Sequence, residues 1–307
     1  MYKKQQAFTL LELTIILVIT AIMTVGIFKG AGLVNSSKIS VARSLTERSP
    51  VPKIDGLVVW YETSSLDSLL KSEASNNSTV TTWYDLNPAS VALRANTLVA
   101  RTGAVKYVKN GINNVPSLQF SSKDGSATTL QLAAFSQGST AQNTVFLVFK
   151  QQSRTYASYY ARWILDSHSS SSISAIGYAD NPEVDDVRAI SATDTVAYSG
   201  PTNPPSFGDE KSYIVAVYYD QAYTKAYVND TNVVAGGGYF NATPGSNKIT
   251  GLTIGSLRTG SIDNITKVRF VGLISEIIIY NRVLNREERK DIFTYLSKKY
   301  SIPVAGI

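Results

Sequence analysis

Cysteine is absent from this sequence, and histidine occurs once, at His168. Without thiols there is no disulfide framework, no thiolate metal site, no cysteine nucleophile and no cysteine-linked lipid anchor. One histidine with no cysteine also excludes a zinc site of the usual ligand set. His168 lies in "LDSHSSSSIS", which reads as a solvated loop, and no Gly-x-Ser-x-Gly elbow offers a serine nucleophile. The paired glycines of "KGAG" and "AGGGY" lack the context of a phosphate loop. Clustered positive charge is missing from the body. The formal net charge is +6, yet the excess sits at Lys3 and Lys4, in residues 29–48 and in residues 282–307, and the chain between is nearly neutral. An electrostatic footprint for phosphates is therefore lacking, and no nucleic acid partner is expected.

Charge is also missing from Leu13 to Phe28, and from Phe8 to Phe28 only Glu12 interrupts the apolar run. As a helix rising ~1.5 Å per residue, this run spans roughly one hydrocarbon thickness. Lys3 and Lys4 precede it, so the positive-inside rule puts the N-terminus in the cytoplasm and the remainder outside. A cleaved signal peptide would use Gly30-Ala31-Gly32, and a plain anchor would stay uncut. Neither explains Glu12, since a carboxylate in hydrocarbon costs about 2.5 to 3.5 kcal/mol even on lenient scales.

The stretch Lys3-Lys4-Gln5-Gln6-Ala7, then Phe8-Thr9-Leu10-Leu11-Glu12, resembles the prepilin leader of type IV pilins and pseudopilins. The departures are Ala7, where glycine is commoner, and an apolar run without proline. The resemblance implies cleavage between Ala7 and Phe8 by a prepilin peptidase, N-methylation of Phe8, and partners that are other pilin subunits. Glu12 then pairs with the new α-ammonium of Phe8 on its own or a neighbouring subunit, because a buried charge is tolerable when paired. On this reading residues 1–7 are leader, 8–28 the transmembrane and assembly helix, 29–53 an amphipathic extension and linker, and 54–307 the body. Pro50 and Pro52 end the helix near Glu47.

The body is mainly β by pattern. Short runs rich in β-branched and aromatic residues recur at Leu57–Tyr61, Ser117–Phe120, Thr144–Phe149, Arg162–Leu165, Tyr213–Tyr219, Lys225–Val228, Leu252–Ile254 and Leu273–Tyr280, and predict a sandwich. Asn229-Asp230-Thr231-Asn232 reads as a hairpin turn. A last helix begins at a capping box, Asn285 with Glu288, carries Lys298 and Lys299 at its C-terminal end, and docks through Ile292, Phe293, Leu296 and Tyr300.

From Leu57 to Ile302 the body resembles the concanavalin A-like, laminin G-type lectin and glucanase superfamily. Phe270, Gly272, Glu276, Tyr280, Asn281, Arg282, Leu284, Glu288, Tyr295, Leu296, Lys299 and Tyr300 carry the resemblance, with "LVVWYE", "TTWYDLN", "TVFLVFK" and "KAYVNDTNV" in looser agreement. It implies a jelly-roll of two antiparallel sheets, a fold that also occurs behind prepilin leaders. Glucanases of this fold need Glu-x-Asp-x-Glu or Glu-x-Asp-x-x-Glu. Glu183-Val184-Asp185-Asp186-Val187-Arg188 lacks the second glutamate, so no catalytic residues are expected. Laminin G-type domains often bind calcium at the rim, and Asp166, Asp180 and Asp185, with Asp124 and Asp186, are the candidate ligands. Tyr159, Tyr160, Trp163, Tyr219 and Tyr223 are the candidates for stacking on sugar rings. The expectation is a minor pilin with a lectin-like head for a glycan or surface protein, held in the inner membrane before assembly and then displayed at the cell surface. A secretion pseudopilin and a membrane-anchored carbohydrate-active enzyme are the alternatives, and DNA capture is disfavoured by the neutral head.

Overall fold

A computed structural model describes residues 10–91, 95–121, 128–137, 140–152, 160–167, 173–180, 187–192, 210–220, 224–232, 248–256 and 270–307. Its first element is a helix, α1 (Leu10–Glu47). The chain leaves it through Pro50 into a single 3-10 turn at Val51–Lys53, closed by the Lys53 amide donating to the Pro50 carbonyl at 2.9 Å. Ser49 and Val51 are buried, so these residues are packed on the body where the sequence suggested a linker.

Strands follow as β1 (Leu57–Glu62), β2 (Thr79–Val80), β3 (Thr82–Trp83), a short helix α2 (Pro88–Val91), β4 (Leu98–Thr102), β5 (Val105–Ile112), β6 (Val115–Phe120) and β7 (Thr129–Leu132). They continue as β8 (Asn143–Gln151), β9 (Tyr160–Asp166), β10 (Ile173–Asp180), β11 (Val187–Ala192), β12 (Ser212–Tyr219), β13 (Lys225–Val228), β14 (Leu252–Ile254) and β15 (Gly272–Tyr280), before helix α3 (Arg286–Tyr300). Two antiparallel sheets result. The eight-stranded sheet runs β13-β12-β8-β15-β6-β5-β2, with β1 on the flank of β15, and the seven-stranded sheet runs β11-β10-β9-β14-β7-β4-β3.

The two faces of the eight-stranded sheet are both apolar. On β8, Val145, Leu147 and Phe149 enter the core between the sheets, while Phe146 and Val148 point the other way, under Phe293, Ile292 and Leu296 of α3. This is why Thr144–Phe149 and Tyr213–Tyr219 read as unbroken apolar runs, since a strand covered on both sides needs no polar alternation. Phe146 and Phe293 meet edge to face, their ring centres 5.5 Å apart.

The capping box of α3 forms as the sequence predicts: Asn285 accepts from the amides of Glu287 and Glu288, and Glu288 Oε2 accepts the Asn285 amide at 2.9 Å. Arg282 clamps the same carboxylate through both terminal nitrogens, at 2.9 and 2.6 Å, and donates from Nε to the Asp55 carbonyl.

The "TTWYDLN" stretch seals strand β1. Asp85 accepts the Trp60 amide at 2.8 Å, and Asn87 donates to the carbonyls of Leu57 and Val58, both at 2.9 Å. Backbone groups at the outer side of β1 are thus satisfied by side chains instead of a further strand. The returning arm of the proposed hairpin at Asn229–Asn232 lies outside the described residues, and the turn itself makes a further contact. Asn229 takes a left-handed backbone, and its carbonyl accepts the Ala305 amide at 2.9 Å and the Thr231 amide donates to the Ala305 carbonyl, so this segment binds the C-terminal tail.

Candidate functional site

Two regions bear on function, the N-terminal helix with its seat on the body and the free face of the sandwich. On α1, Leu13, Ile15, Ile16, Leu17, Val18 and Ile19 are all exposed. Because a helix turns every 3.6 residues, such a consecutive run covers every side of it. A helix apolar all round is one built for burial, in a membrane or among other helices. Thr20, the polar residue that follows, turns its hydroxyl back to the carbonyls of Ile16 and Leu17 at 2.6 and 3.0 Å, which satisfies it within the helix. Among the described residues no helix is long and apolar enough to cross a membrane. Ala7 and Phe8 lie outside the described residues, and Glu12 is placed on α1 by its backbone only.

The far end of α1 belongs to the body. Ile39, Ala42 and Thr46, at helical spacing, are buried, and Ala42 joins the core beneath α3. Arg43 Nε donates to the Ser64 carbonyl at 2.7 Å.

Below that seat lies a buried charge cluster. Glu62 on β1 and Glu276 on β15 are cross-strand partners on the face covered by α3, and Lys299 of α3 reaches down between them, 2.7 Å from Glu62 Oε2 and 2.8 Å from Glu276 Oε2. The third ammonium hydrogen goes to Tyr295 Oη at 3.0 Å. Glu276 also accepts from Trp60 Nε1 at 2.7 Å and from the hydroxyls of Tyr295 and Tyr300, both at 2.8 Å. Glu62 takes the amide and hydroxyl of Ser64, the amide of Ser65 and the hydroxyl of Ser68.

Burial by itself raises the pKa of Glu62, but the charge and hydrogen bond of Lys299 and the donors of Ser64 outweigh it and hold this carboxyl below its ordinary range. Glu276 goes up, because its burial, with the like charge of Glu62, exceeds what Lys299 returns. Lys299 goes up as well: its burial acts downward, and the two carboxylates overcome it. Two acids that lie this close suggest catalysis or a metal, but the ammonium already fills the space a cation would take. Among the described residues no group of three or more His, Cys, Asp or Glu is placed to hold a metal ion.

The seven-stranded sheet offers the other face. Leu98, Leu130, Leu252, Ile254 and Leu165 point into the core. Their neighbours Val99, Gln131, Thr253 and Asp166 therefore point away from it. These lie in one row with Thr82, through the registers Thr82↔Val99, Val99↔Gln131, Gln131↔Thr253 and Thr253↔Asp166. The row is mostly polar, whereas the outer face of the other sheet is apolar and covered by α3. Val99 is half exposed and Thr82 and Gln131 are partly exposed, but Thr253 and Asp166 at its far end are buried.

Of the proposed ring-stacking and metal residues, Asp166 and Trp163 lie on this outward side of β9. Trp163 pairs with Gly177 across a bulge, and the side chains of Trp163 and Asp166 are both buried, 2% and 0% exposed. Tyr219 is corrected: with Tyr213, Val215 and Val217 it points between the sheets, 1% exposed, so it offers no surface to a ligand. Tyr160 and Asp180 are placed by their backbone on β9 and β10. Tyr159, Tyr223, Asp124, Asp185, Asp186 and His168 lie outside the described residues. Sequence reasoning missed Gln131, Thr253 and Thr82 as neighbours. Their only signal is the polar phase of short strands, of which β3 and β7 are not among the runs read from the sequence.

Residues 2–28 match the prokaryotic N-terminal methylation motif. The match is the methylation motif of type IV pilin N-termini and bears on these residues alone. That motif implies a precursor anchored in the inner membrane, a prepilin peptidase to process it, and other pilins as partners in a surface filament. No curated protein matches the chain. Among solved structures, a GH54 α-L-arabinofuranosidase soaked with a cyclic sulfate inhibitor aligns at 12% identity and a TM-score of 0.51, covering 72% of this chain and 51% of that one. Domain 4 of AbnA, a GH43 extracellular arabinanase from Geobacillus stearothermophilus in complex with arabinotriose, aligns at 12% identity and 0.48, over 77% of this chain and 97% of that one. A mutant Trypanosoma rangeli sialidase displaying trans-sialidase activity aligns at 15% and 0.48, over 81% and 34%. The chain thus spans about a third of the length of the sialidases it matches. At these identities the likeness is one of fold, a β-sandwich.

Proposed function

We propose that this protein is a minor pilin, a filament subunit that displays a concanavalin A-like, laminin G-type head for adhesion to a glycan or a surface protein. The observation that carries the reading is the methylation motif at residues 2–28 on a helix whose other end is built into the head. Before assembly the uncharged run Leu13–Phe28 serves as the membrane anchor, with Lys3 and Lys4 on the cytoplasmic side. After cleavage before Phe8 the same helix packs among other pilin helices, and Glu12 pairs with a methylated Phe8 ammonium. The helix's all-round apolar surface supports both stages.

The head binds without chemistry. This is supported by the sequence lacking a second glutamate after Glu183 and Asp185, and by the close carboxylates Glu62 and Glu276 being occupied by Lys299. The ligand face is the accessible part of the outward side of the seven-stranded sheet, Thr82, Val99 and Gln131, whose hydroxyl and amide groups suit a polyhydroxylated or peptide surface. A glycan array probed with the purified protein tests this. Selective retention of a carbohydrate class, lost in Gln131→Ala and Val99→Arg variants, supports it, and binding that persists unchanged in both variants refutes the assigned face.

A further inference from the structure

The buried cluster does more than tie α3 to the sheet, because a path of hydrogen bonds starts on α1 at Arg43 and runs through it to Tyr295, which packs against Thr46 of the same helix. Arg43 donates to the Ser64 carbonyl at 2.7 Å, the Ser64 amide donates to Glu62 at 2.8 Å, and Glu62 and Glu276 share Lys299. Glu276 accepts the Tyr295 hydroxyl at 2.8 Å, and Tyr295 Oη packs against Thr46 Oγ1 at 3.5 Å, a polar contact rather than a hydrogen bond, because each hydroxyl gives its one hydrogen elsewhere. Arg43 and Thr46 are three residues apart and so nearly share one side of α1. Thr46 also donates to the Ala42 carbonyl at 3.1 Å, and Ala42 is the residue of α1 that enters the core under α3. The path thus flanks the apolar contact, and each of its members except Arg43 is buried.

We propose that this path is an orientation lock, which fixes the head on the assembly helix and removes the hinge that a tether at residues 48–53 would supply. Burial makes the path rigid: every donor of Lys299 has an acceptor, and shifting α1 relative to the sheet strands part of a paired charge in the interior, which is costly. A polar contact at the surface would not resist in this way, because water replaces its partners at little cost. Tyr295 and Arg43 are positioning residues in this scheme, and neither touches a ligand. The lock stands whether or not the chain is a pilus subunit. For a filament subunit its effect is to present the head at a set angle to the filament axis.

The test is amide hydrogen exchange on the full chain in detergent micelles, comparing Tyr295→Phe, Arg43→Gln and the double variant with the parent. Both substitutions leave Glu62, Lys299 and Glu276 in place, so folding of the head is expected to persist. The lock predicts that exchange across residues 36–47 rises at least tenfold in the double variant, while amides of β8 and β12 keep their protection. Arg282→Ala is the control: it breaks the Glu288 clamp at the head of α3 without touching the path, and is predicted to leave residues 36–47 unchanged. Unchanged exchange at 36–47 in the double variant would overturn the lock. So would a rise there that is matched in β8 and β12, or one reproduced by Arg282→Ala.

Discussion

Glu62 and Glu276 stand opposite one another on adjacent antiparallel strands, and the fully buried ammonium of Lys299 lies between their carboxylates. Like charges directly across a ladder repel. The arrangement is stable because a helix from outside the sheet delivers the opposite charge, and the carboxylate oxygens also accept from Trp60, Tyr295, Tyr300, Ser64, Ser65 and Ser68. Removing the cation leaves two uncompensated carboxyl groups in the interior, so Lys299→Met is expected to cost about 3–5 kcal/mol. Denaturant unfolding of the full chain in detergent checks the figure, and a loss under about 1 kcal/mol, the range of an exposed pair, would show that the cluster is not buried in solution.

Stability should fall on the acid side for identifiable reasons. Glu62 and Glu288 have folded pKa values below the ordinary 4.5, Glu62 by the balance described above and Glu288 chiefly through its hydrogen bonds with Arg282. A depressed carboxyl contributes stability above its unfolded pKa and loses it as pH falls through the folded value. Glu276 is raised, so its contribution has the opposite sign and declines as pH rises from 4.5 through its folded pKa. Lys299 is raised above 10.5, and its contribution is lost only as pH climbs through its own folded value. The expected melting profile therefore drops below about pH 4.5 and again above about pH 10.5. In Glu288→Gln the acid-side drop should be shallower, and thermal melts from pH 3 to pH 7 measure it.

The capping residue of α3 gives a smaller and cleaner effect. Asn285 accepts two amides that have no other partner at the helix start. Asn285→Ala is expected to cost about 1 kcal/mol, with Asn285→Ser close to neutral. A shift in the denaturation midpoint without a change in slope would confirm it.

Substitutions on the free face should separate binding from folding. Val99→Arg places a charge at a half-exposed position outside the core, so stability should move by less than about 0.5 kcal/mol. Adhesion to the ligand should fall at least tenfold. Tyr219→Phe, by contrast, alters a core residue and should leave adhesion unchanged apart from any loss of folded protein. Surface binding assays beside thermal melts distinguish the two.

Much of this was legible in the chain itself. The capping box, the apolar positions of α3, the end of α1 at Glu47 and the principal strands follow from proline, periodicity and β-branched runs, all of them local signals. The motif at the N-terminus is also local, and it matches over residues 2–28. What escaped is non-local. Nothing near Glu62 announces that Glu276 and Lys299 will meet it, since the three are brought together by pairing of β1 with β15 and the docking of α3. Tyr219 was misplaced for a related reason: β12 is buried from Tyr213 to Tyr219, so its sequence carries no alternation by which to tell the inward side from the outward one. The linker near Pro50 was inferred from two prolines, but burial of Val51 depends on a surface assembled by distant residues.

The central claim, that the chain is processed and assembled as a pilin, is tested most directly by mass spectrometry of the N-terminus in the membrane or filament fraction. The account predicts a chain beginning at Phe8 and carrying one added methyl group. A chain that still begins at Met1, or that has been cut near Gly32, would contradict it.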